Sequence, residues 1–285
     1  MAIPAPSDKK TLPAEYVVPA VWVQKEMGGP QSQMNQPTAG ARSEEALPKG
    51  EHPIQIYSLG TPNGQKVSIL LEELGVEYDA WKINIMDLKQ FTSGFVECNP
   101  NSKIPAMFDH DPVGGGEPLR VFESGSILIY LAEKYGRFIP SDPRKKVEMM
   151  NWLMWQMGSA PSIGGGFGHF YKYAPIHIEY AIDRFSLETK RLLDVLDKHL
   201  AGKEFICGDE YTIADMAIMP WVRCIITGYS AKEFLQVDSY TNVTSWMDKL
   251  LARKAVARGV RVNGFSENAV QHRHSKADFA PEDYD

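Results

Sequence analysis

Residues 53–75, PIQIYSLGTPNGQKVSILLEELG, decide the fold. The segment from Ile54 to Tyr57 follows the alternation of a β-strand with one buried face. After the loop, apolar residues recur at helical spacing at Val67, Leu70, Leu71 and Leu74. Gly75 can then end the helix, because glycine adopts the left-handed conformation without steric cost. The stretch therefore predicts a strand that leads directly into a helix.

The residues that follow continue this alternation of strands and helices. The predicted elements are a β-prone stretch at 78–83, a helix at 90–97, strands at 104–108 and 119–122, and a helix at 126–135. Strand, helix and strand in that order require a parallel, right-handed crossover. The glycines at 114–116 instead suit a hairpin between the last two strands. Residues 53–138 therefore predict an α/β domain in the order βαβαββα.

The second half of the chain is predicted to be all-α. Asp142 can cap a helix that starts with Pro143, and helical periodicity then continues almost without interruption. We place this helical domain at residues 142–265.

Both ends of the chain are predicted to lie outside the two domains. Residues 1–52 are rich in Pro, Gly, Gln and Ser, which indicates an N-terminal extension without a core of its own. Trp22 and Met34 favour docking of this extension on the body of the protein, and a disordered arm is the alternative. The polar tail at 266–285 is expected to wrap the surface.

Charge and hydrophobicity exclude several classes of partner. The net charge of -6 and the isoelectric point near 5.7 leave no overall basic surface, so no nucleic-acid partner is expected. The first residues lack a signal peptide, and no apolar stretch reaches the roughly 18 residues of a membrane span. These features predict a cytoplasmic protein that does not bind membranes.

No metal site is predicted. The three cysteines form neither a C-x-x-C pair nor a zinc pattern, and in a reducing compartment we expect buried free thiols at Cys98, Cys207 and Cys224. His272 and His274 are two residues apart, which suits no zinc site. We expect both histidines to be solvated.

The loop Gly60-Thr61-Pro62-Asn63-Gly64 joins the first strand to the first helix. Ligands bind at such strand ends in open α/β sheets, and a helix start offers unpaired N–H groups and the positive end of a dipole. A hydroxyl at Thr61 and an amide at Asn63 could therefore hold a thiolate. Simple capping of the helix by either side chain is the alternative interpretation.

Two further segments carry polar groups next to predicted strands. Asn99 to Pro105 ends in Ile104-Pro105 at the head of a strand, where the Ile104 backbone could face an extended peptide. Whether this proline follows a cis or a trans bond is open at this point. Glu123 and Ser124 open the closing helix and match the ammonium and carboxylate of a free amino-acid end. Ser124 could instead be an ordinary N-cap beside a solvated Glu123.

Together these segments resemble the glutathione transferase superfamily, in which an α/β thioredoxin-like N-terminal domain is followed by an all-α helical C-terminal domain. The resemblance covers residues 53–265 and includes Thr212 and Asp215, which look like the buried capping box of that family. Thr61-Pro62-Asn63-Gly64, Phe122-Glu123-Ser124-Gly125 and the glycine-rich stretch Gly164 to Phe170 are similar to the bacterial Nu class. No Gly-Lys-Ser/Thr follows those glycines, so helix packing or a cavity wall explains them better than a phosphate loop.

The resemblance implies a homodimeric enzyme with glutathione as co-substrate, as two molecules or one glutathione disulfide per site. It assigns the sulfur to Thr61 and Asn63, the cysteinyl amide to Ile104, and the γ-glutamyl end to Glu123 and Ser124. The remaining glutathione contacts are assigned to Gln90, Lys103, Asn35 and Arg184, the last two to a second glutathione. Each of these four has an ordinary alternative: an exposed helical residue, a solvated lysine, a turn residue and a surface cation.

The thiol is expected to come with the substrate, because the loop holds no cysteine. Tyr57 and Ser58 are the alternative hydroxyls near this strand end. We expect Tyr57 to be packed, and Ser58 stays open. The leading hypothesis is glutathione-dependent reduction of small disulfides. Conjugation of glutathione to electrophiles and a non-catalytic, glutathione-binding regulatory module are the alternatives.

Overall fold

The computed structural model describes residues 10–11, 19–24, 34 and 36–284. Asn35 therefore lies outside the described residues. The strands are β1 Lys10–Thr11, β2 Ile54–Ser58, β3 Asp79–Lys82, β4 Ala106–Asp109, β5 Leu119–Phe122 and β6 Ile176–His177. The α-helices are α1 Pro62–Leu74, α2 Ser93–Cys98, α3 Ser124–Tyr135, α4 Pro143–Pro161, α5 Glu179–Leu200, α6 Ile213–Arg223, α7 Thr241–Leu251 and α8 Lys254–Gly259. Within these ranges no helix is both long and apolar enough to cross a membrane.

The first domain is built on a four-stranded sheet in the order β3-β2-β4-β5. Strand β3 runs parallel to β2, while β4 is antiparallel to both β2 and β5. Helix α1 is the crossover between the parallel strands, and Gly75 ends it in the left-handed conformation with φ 70°. The predicted thioredoxin-like arrangement is confirmed, as is the helical domain that follows it.

The region predicted as a helix at 90–97 is broken in the structure. Two 3-10 turns, Ile85–Asp87 and Lys89–Phe91, precede the short α2. The break falls at Thr92, whose extended backbone has ψ 153°. Because Gly94 lies so near the N-terminal extension that a Cβ would be 2.6 Å from the Leu47 nitrogen, the extension packs directly on α2.

Helix α1 is buried on nearly every side, because both domains pack against it. It contacts α3 in its own domain and α6 and α8 in the helical domain. A Cβ at Gly259 of α8 would lie 2.5 Å from the Ile69 Cα, so only glycine permits this approach. The two domains therefore share one apolar core, and α1 is fixed along its length.

A buried capping box anchors α6 in the helical domain. The Asp215 carboxylate accepts hydrogen bonds from the Thr212 N–H at 3.1 Å, the Ile206 N–H at 2.9 Å and the Trp246 indole at 2.9 Å. Burial raises the pKa of Asp215 to about 6. The predicted box of Thr212 and Asp215 is confirmed, and it ties α6 to α7.

The described part of the N-terminal extension follows the body of the protein over much of its length. Strand β1 pairs in parallel with β6 of the helical domain. Further on, the Arg42 N–H donates to the Phe91 carbonyl at 2.7 Å, and its guanidinium lies 3.4 Å from the Phe91 ring centroid. Trp22 is 64% exposed in the single chain. The expected docking of this side chain on the body of the protein is therefore not observed.

The C-terminal tail closes the outer edge of the sheet. The Arg273 carbonyl accepts from the Ala80 N–H at 2.7 Å, and the fully buried guanidinium lies 4.0 Å from the centroid of Tyr78. His274 is partly solvated, as its 39% exposed side chain shows, and its Nδ1 also lies 2.6 Å from the Asp79 carboxylate. His272 is exposed. The tail thus covers the otherwise unpaired β3 edge.

Candidate functional site

The sheet register brings the three predicted ligand segments to one edge. Tyr57 pairs with Ala106, and Ala106 pairs in turn with Phe122. These residues form one row across the sheet, at the end of β2, the start of β4 and the end of β5. The loops that carry Thr61, Ile104 and Glu123 leave the sheet at that row and therefore meet at one end of it.

Thr61 and Asn63 stand at the start of α1 without capping it. Thr61 occupies the N-cap position, but its hydroxyl makes no capping bond and lies 3.5 Å from the Leu59 carbonyl oxygen. The Asn63 side-chain oxygen accepts a hydrogen bond from the Trp221 indole at 3.0 Å. Because an indole N–H can only donate, this bond leaves the Asn63 NH₂ group as a donor at the helix start.

The two alternative hydroxyls of β2 are engaged elsewhere. The Tyr57 hydroxyl donates to the Pro48 carbonyl at 2.7 Å, and burial raises the pKa of Tyr57 above its usual value. The expectation that Tyr57 is packed is confirmed. Ser58 is 4% exposed, and its hydroxyl donates to the Leu59 carbonyl at 3.3 Å, beneath Gly64.

The loop before β4 offers an unpaired backbone. The Asn99 side chain shapes it by accepting from the Asn101 N–H at 2.9 Å and donating to the Lys103 carbonyl at 2.6 Å. The Ile104–Pro105 bond is cis. Among the described residues the Ile104 N–H and carbonyl have no hydrogen-bond partner in the protein. Both groups are therefore available to an extended peptide, and the Lys103 side chain is exposed beside them.

The start of α3 presents a carboxylate beside backbone donors. Glu123 is exposed, has φ 68°, and forms no ion pair within the described part of the chain. Ser124 is buried at the first turn, and its hydroxyl lies 3.3 Å from the Lys66 ammonium. This pair can bind an ammonium and a carboxylate on neighbouring atoms.

Lys66 is a residue of this site that sequence reasoning missed. Its fully buried ammonium donates to the Gln156 side-chain oxygen at 2.6 Å and to the Ser124 hydroxyl. Burial lowers the pKa of Lys66 to about 7, although the negative charge of Glu123 raises it. A lysine in the middle of a helix is usually solvated, and only the packing of α1 between two domains reveals its burial.

Lys66→Met is expected to change the pH dependence of stability, because it removes a buried titratable group. The pKa of Lys66 is about 7 in the folded protein and 10.5 as its ordinary value. Between these values the unfolded chain binds more protons, so the free energy of unfolding of the wild type should rise with pH relative to the variant.

Urea unfolding at pH 7 and at pH 10 measures this effect, with the exposed lysine variant Lys198→Met as control. Lys198→Met should follow the wild type across this range. An identical pH slope in Lys66→Met and the wild type would show that Lys66 is not desolvated.

Two of the predicted glutathione contacts, Gln90 and Arg184, form no side-chain hydrogen bond or ion pair with the described residues of this site, and a third lies outside the described residues. Gln90 is buried, not an exposed helical residue, and its side-chain oxygen has no partner among the described residues. Arg184 is exposed on α5. The pKa of Glu188 is lowered mainly by the hydrogen bond from Arg191, and the positive charge of Arg184 adds a smaller effect in the same direction. Asn35 is not described. Their contacts with glutathione stay predictions.

The protein's own thiols are poor nucleophiles. Burial raises the pKa of Cys98 to about 12 and the pKa values of Cys207 and Cys224 to about 11. Cys98 is buried as expected, whereas the other two cysteines are only partly buried. A reactive thiolate at neutral pH must therefore come from a ligand.

The fold and this site define the class of protein. A family model of the glutathione S-transferase N-terminal domain matches residues 61–134, and a model of the C-terminal domain matches residues 179–254. The chain belongs to the glutathione S-transferase family, which confirms the resemblance found in the sequence.

Individual relatives indicate which members of the glutathione S-transferase family this chain is similar to. The chain is 55% identical over 276 residues to the disulfide-bond oxidoreductase YghU of Escherichia coli K12, covering 93% of this chain and 95% of that protein. It is similar to the crystal structure of glutathione transferase YghU from Streptococcus pneumoniae in complex with glutathione, with a TM-score of 0.83, 52% identity, and coverage of 88% and 99%. A glutathione transferase from Pseudomonas putida, solved with one glutathione disulfide per subunit, has a TM-score of 0.72, 42% identity, and coverage of 75% and 93%.

Proposed function

We propose that the protein is a glutathione-dependent disulfide-bond reductase of the Nu class. The observation that carries the proposal is the convergence of three groups at one sheet edge. These are the uncapped start of α1 at Thr61, the unpaired Ile104 backbone, and the Glu123-Ser124 pair. A thiol, a peptide backbone and a free amino-acid end occur together in glutathione.

In the proposed reaction, the thiolate of glutathione attacks a substrate disulfide and forms a mixed disulfide, and one substrate thiolate leaves. A second glutathione thiolate attacks the glutathione sulfur of that intermediate. Glutathione disulfide forms and the second substrate thiolate leaves, so two glutathione molecules are oxidised for each disulfide reduced. The relative with one glutathione disulfide per subunit supports a site that holds two glutathiones.

The protein supplies position and charge stabilisation to these steps. Donors at Thr61 and Asn63 hold the first thiolate, and Ile104 pairs with the cysteinyl amide. Glu123 and Ser124 bind the γ-glutamyl end. Gln90 and Lys103 are assigned to the rest of this glutathione, and Asn35 and Arg184 to the second one. A hydrogen bond to a charged group is worth about 1.5–3 kcal/mol, enough to lower a thiol pKa by about one to two units.

Steady-state assays with a small disulfide and with a chlorinated aromatic electrophile test the proposed activity. We expect glutathione-dependent turnover of the disulfide to exceed conjugation of the electrophile. Rapid conjugation with negligible disulfide turnover would reverse this assignment. Absence of both activities despite glutathione binding would favour a regulatory module.

The free cysteines agree with an enzyme that works in the reducing cytoplasm.

We also propose that the enzyme is a homodimer. Two helices of the second domain expose apolar side chains at a spacing of two turns: Val147 and Met154 on α4, and Tyr180 and Leu187 on α5. Leu187 is 67% exposed and Tyr180 is 80% exposed in the single chain. Such stripes on helices of a soluble enzyme fit a subunit interface.

Leu187→Glu is expected to convert the dimer into a monomer, because a carboxylate would be buried without a partner in the interface. Light scattering at micromolar protein concentration measures the change in mass. The matched control is Phe265→Glu, which places the same charge at an exposed apolar residue of the segment before the tail. A dimer that persists in Leu187→Glu would place the interface elsewhere.

A further inference from the structure

The glycine-rich stretch of the sequence forms a π-helix, π1 Ser162–Tyr173, which follows α4. Its glycines are not equivalent. A Cβ added to Gly164 would lie 2.6 Å from the Cη2 atom of the Trp221 ring, whereas a Cβ on Gly165 would meet nothing within 4 Å. A Cβ atom essentially never lies within 3.0 Å of such a neighbour, so the absence of a side chain at Gly164 leaves the space that the Trp221 ring occupies.

Trp221 connects this glycine to the sulfur-binding loop. The residue lies on α6, which is anchored by the buried Asp215 box and packs against α1. Its ring is half-buried, and its indole nitrogen donates to the Asn63 side-chain oxygen at 3.0 Å. A residue of the helical domain therefore sets the orientation of a side chain in the thioredoxin-like domain.

An asparagine amide has a donor end and an acceptor end, and either can face a ligand. When the indole holds the oxygen, the NH₂ end is directed away from Trp221. Without the indole, the amide can rotate by half a turn and present its oxygen instead. An oxygen would repel a thiolate, so the choice between the two orientations decides whether Asn63 stabilises the sulfur.

We propose that Trp221 is a positioning residue that fixes the Asn63 amide as a donor toward the glutathione sulfur, and that Gly164 provides the space for its ring. This inference rests on the proposed function, because it assumes that Asn63 faces the sulfur. It also gives the glycine-rich stretch a role: Gly164 is required for the approach of Trp221 rather than for binding a phosphate.

Trp221→Phe keeps an aromatic ring and removes the indole N–H. The test is a pH titration of the thiolate absorbance of glutathione bound to the protein at saturation. We expect the bound thiol pKa to rise by about 0.5 to 1 unit, as the loss of one ordinary hydrogen bond predicts. The turnover number should fall while the KM for glutathione stays close to that of the wild type.

Trp152→Phe is the matched control, because it removes an indole that donates to Glu148 at 2.9 Å on the surface of α4. The control should keep the thiol pKa of the wild type. A Trp221→Phe variant whose bound thiol pKa equals that of Trp152→Phe would overturn the proposal. Circular dichroism of both variants establishes that they are folded.

Gly164→Ala and Gly165→Ala form a second pair, one residue apart in the same helix. Gly164→Ala should displace the Trp221 ring and raise the bound thiol pKa as Trp221→Phe does, while Gly165→Ala should match the wild type. Equal pKa values in the two alanine variants would contradict the role of Gly164.

Asn63→Ala separates the failure of this inference from the failure of the proposed function. If Asn63→Ala raises the bound thiol pKa and Trp221→Phe does not, the positioning role is wrong and the sulfur site stands. If neither variant changes it, the assignment of the sulfur to Asn63 is wrong, and the inference fails with it.

Discussion

Asn63→Ala is expected to lower kcat/KM for disulfide reduction by about 10- to 150-fold. This range corresponds to the loss of one hydrogen bond to a charged group, about 1.5–3 kcal/mol. The thiolate is the reacting form of glutathione, so a donor at the helix start raises its abundance at neutral pH. Because the Asn63 oxygen is engaged by Trp221, the amide can offer its NH₂ group to the sulfur.

Initial rates with a small disulfide at varied pH measure this effect, and the variant's rate should recover as the pH approaches the ordinary thiol pKa. Asn63→Asp is the sharper control: it preserves the shape of the side chain but replaces the donor with a negative charge. We expect it to lose more activity than Asn63→Ala. Unchanged rates in Asn63→Ala and Thr61→Ala, with a large loss in Ser58→Ala, would move thiolate stabilisation to Ser58.

Features set by local sequence were predictable. The β2–α1 unit could be read from alternation followed by helical spacing, and its end from Gly75. The sequence placed Thr61, Ile104 and Glu123 on one ligand only through the family resemblance, and the strand order of the structure then puts their loops at one edge of the sheet. The loops that carry these residues leave one row of the sheet, and the contacts of the residues with glutathione stay predictions.

Features set by contacts between distant segments could not be predicted from the sequence. Lys66 donates to Gln156, which is 90 residues away, and Trp221 reaches Asn63 across 158 residues. His274 pairs with Asp79 on the β3 edge for the same reason. No local pattern distinguishes these side chains from solvated ones, because their burial depends on how the two domains and the tail pack together.

The backbone conformation of Glu123 lowers the stability of the protein at a residue of the proposed binding site. Its φ of 68° is a conformation that glycine adopts readily and that costs another residue roughly 1–3 kcal/mol. The exposed side chain forms no ion pair with the described residues that could offset this cost. A strained backbone at an exposed glutamate is explained if its carboxylate binds a ligand, and the ligand group proposed above is the ammonium of the γ-glutamyl end.

Glu123→Gly should therefore be more stable than Glu123→Ala by about 1 kcal/mol, because both variants lack the carboxylate and only glycine relieves the backbone strain. Both should raise the KM for glutathione by about 10- to 150-fold, the effect of losing one charge-assisted hydrogen bond of about 1.5–3 kcal/mol. Urea unfolding measures the first difference and steady-state kinetics the second. Equal stabilities would mean that the backbone is unstrained at Glu123, whereas a KM equal to that of the wild type would mean that the ammonium binds elsewhere.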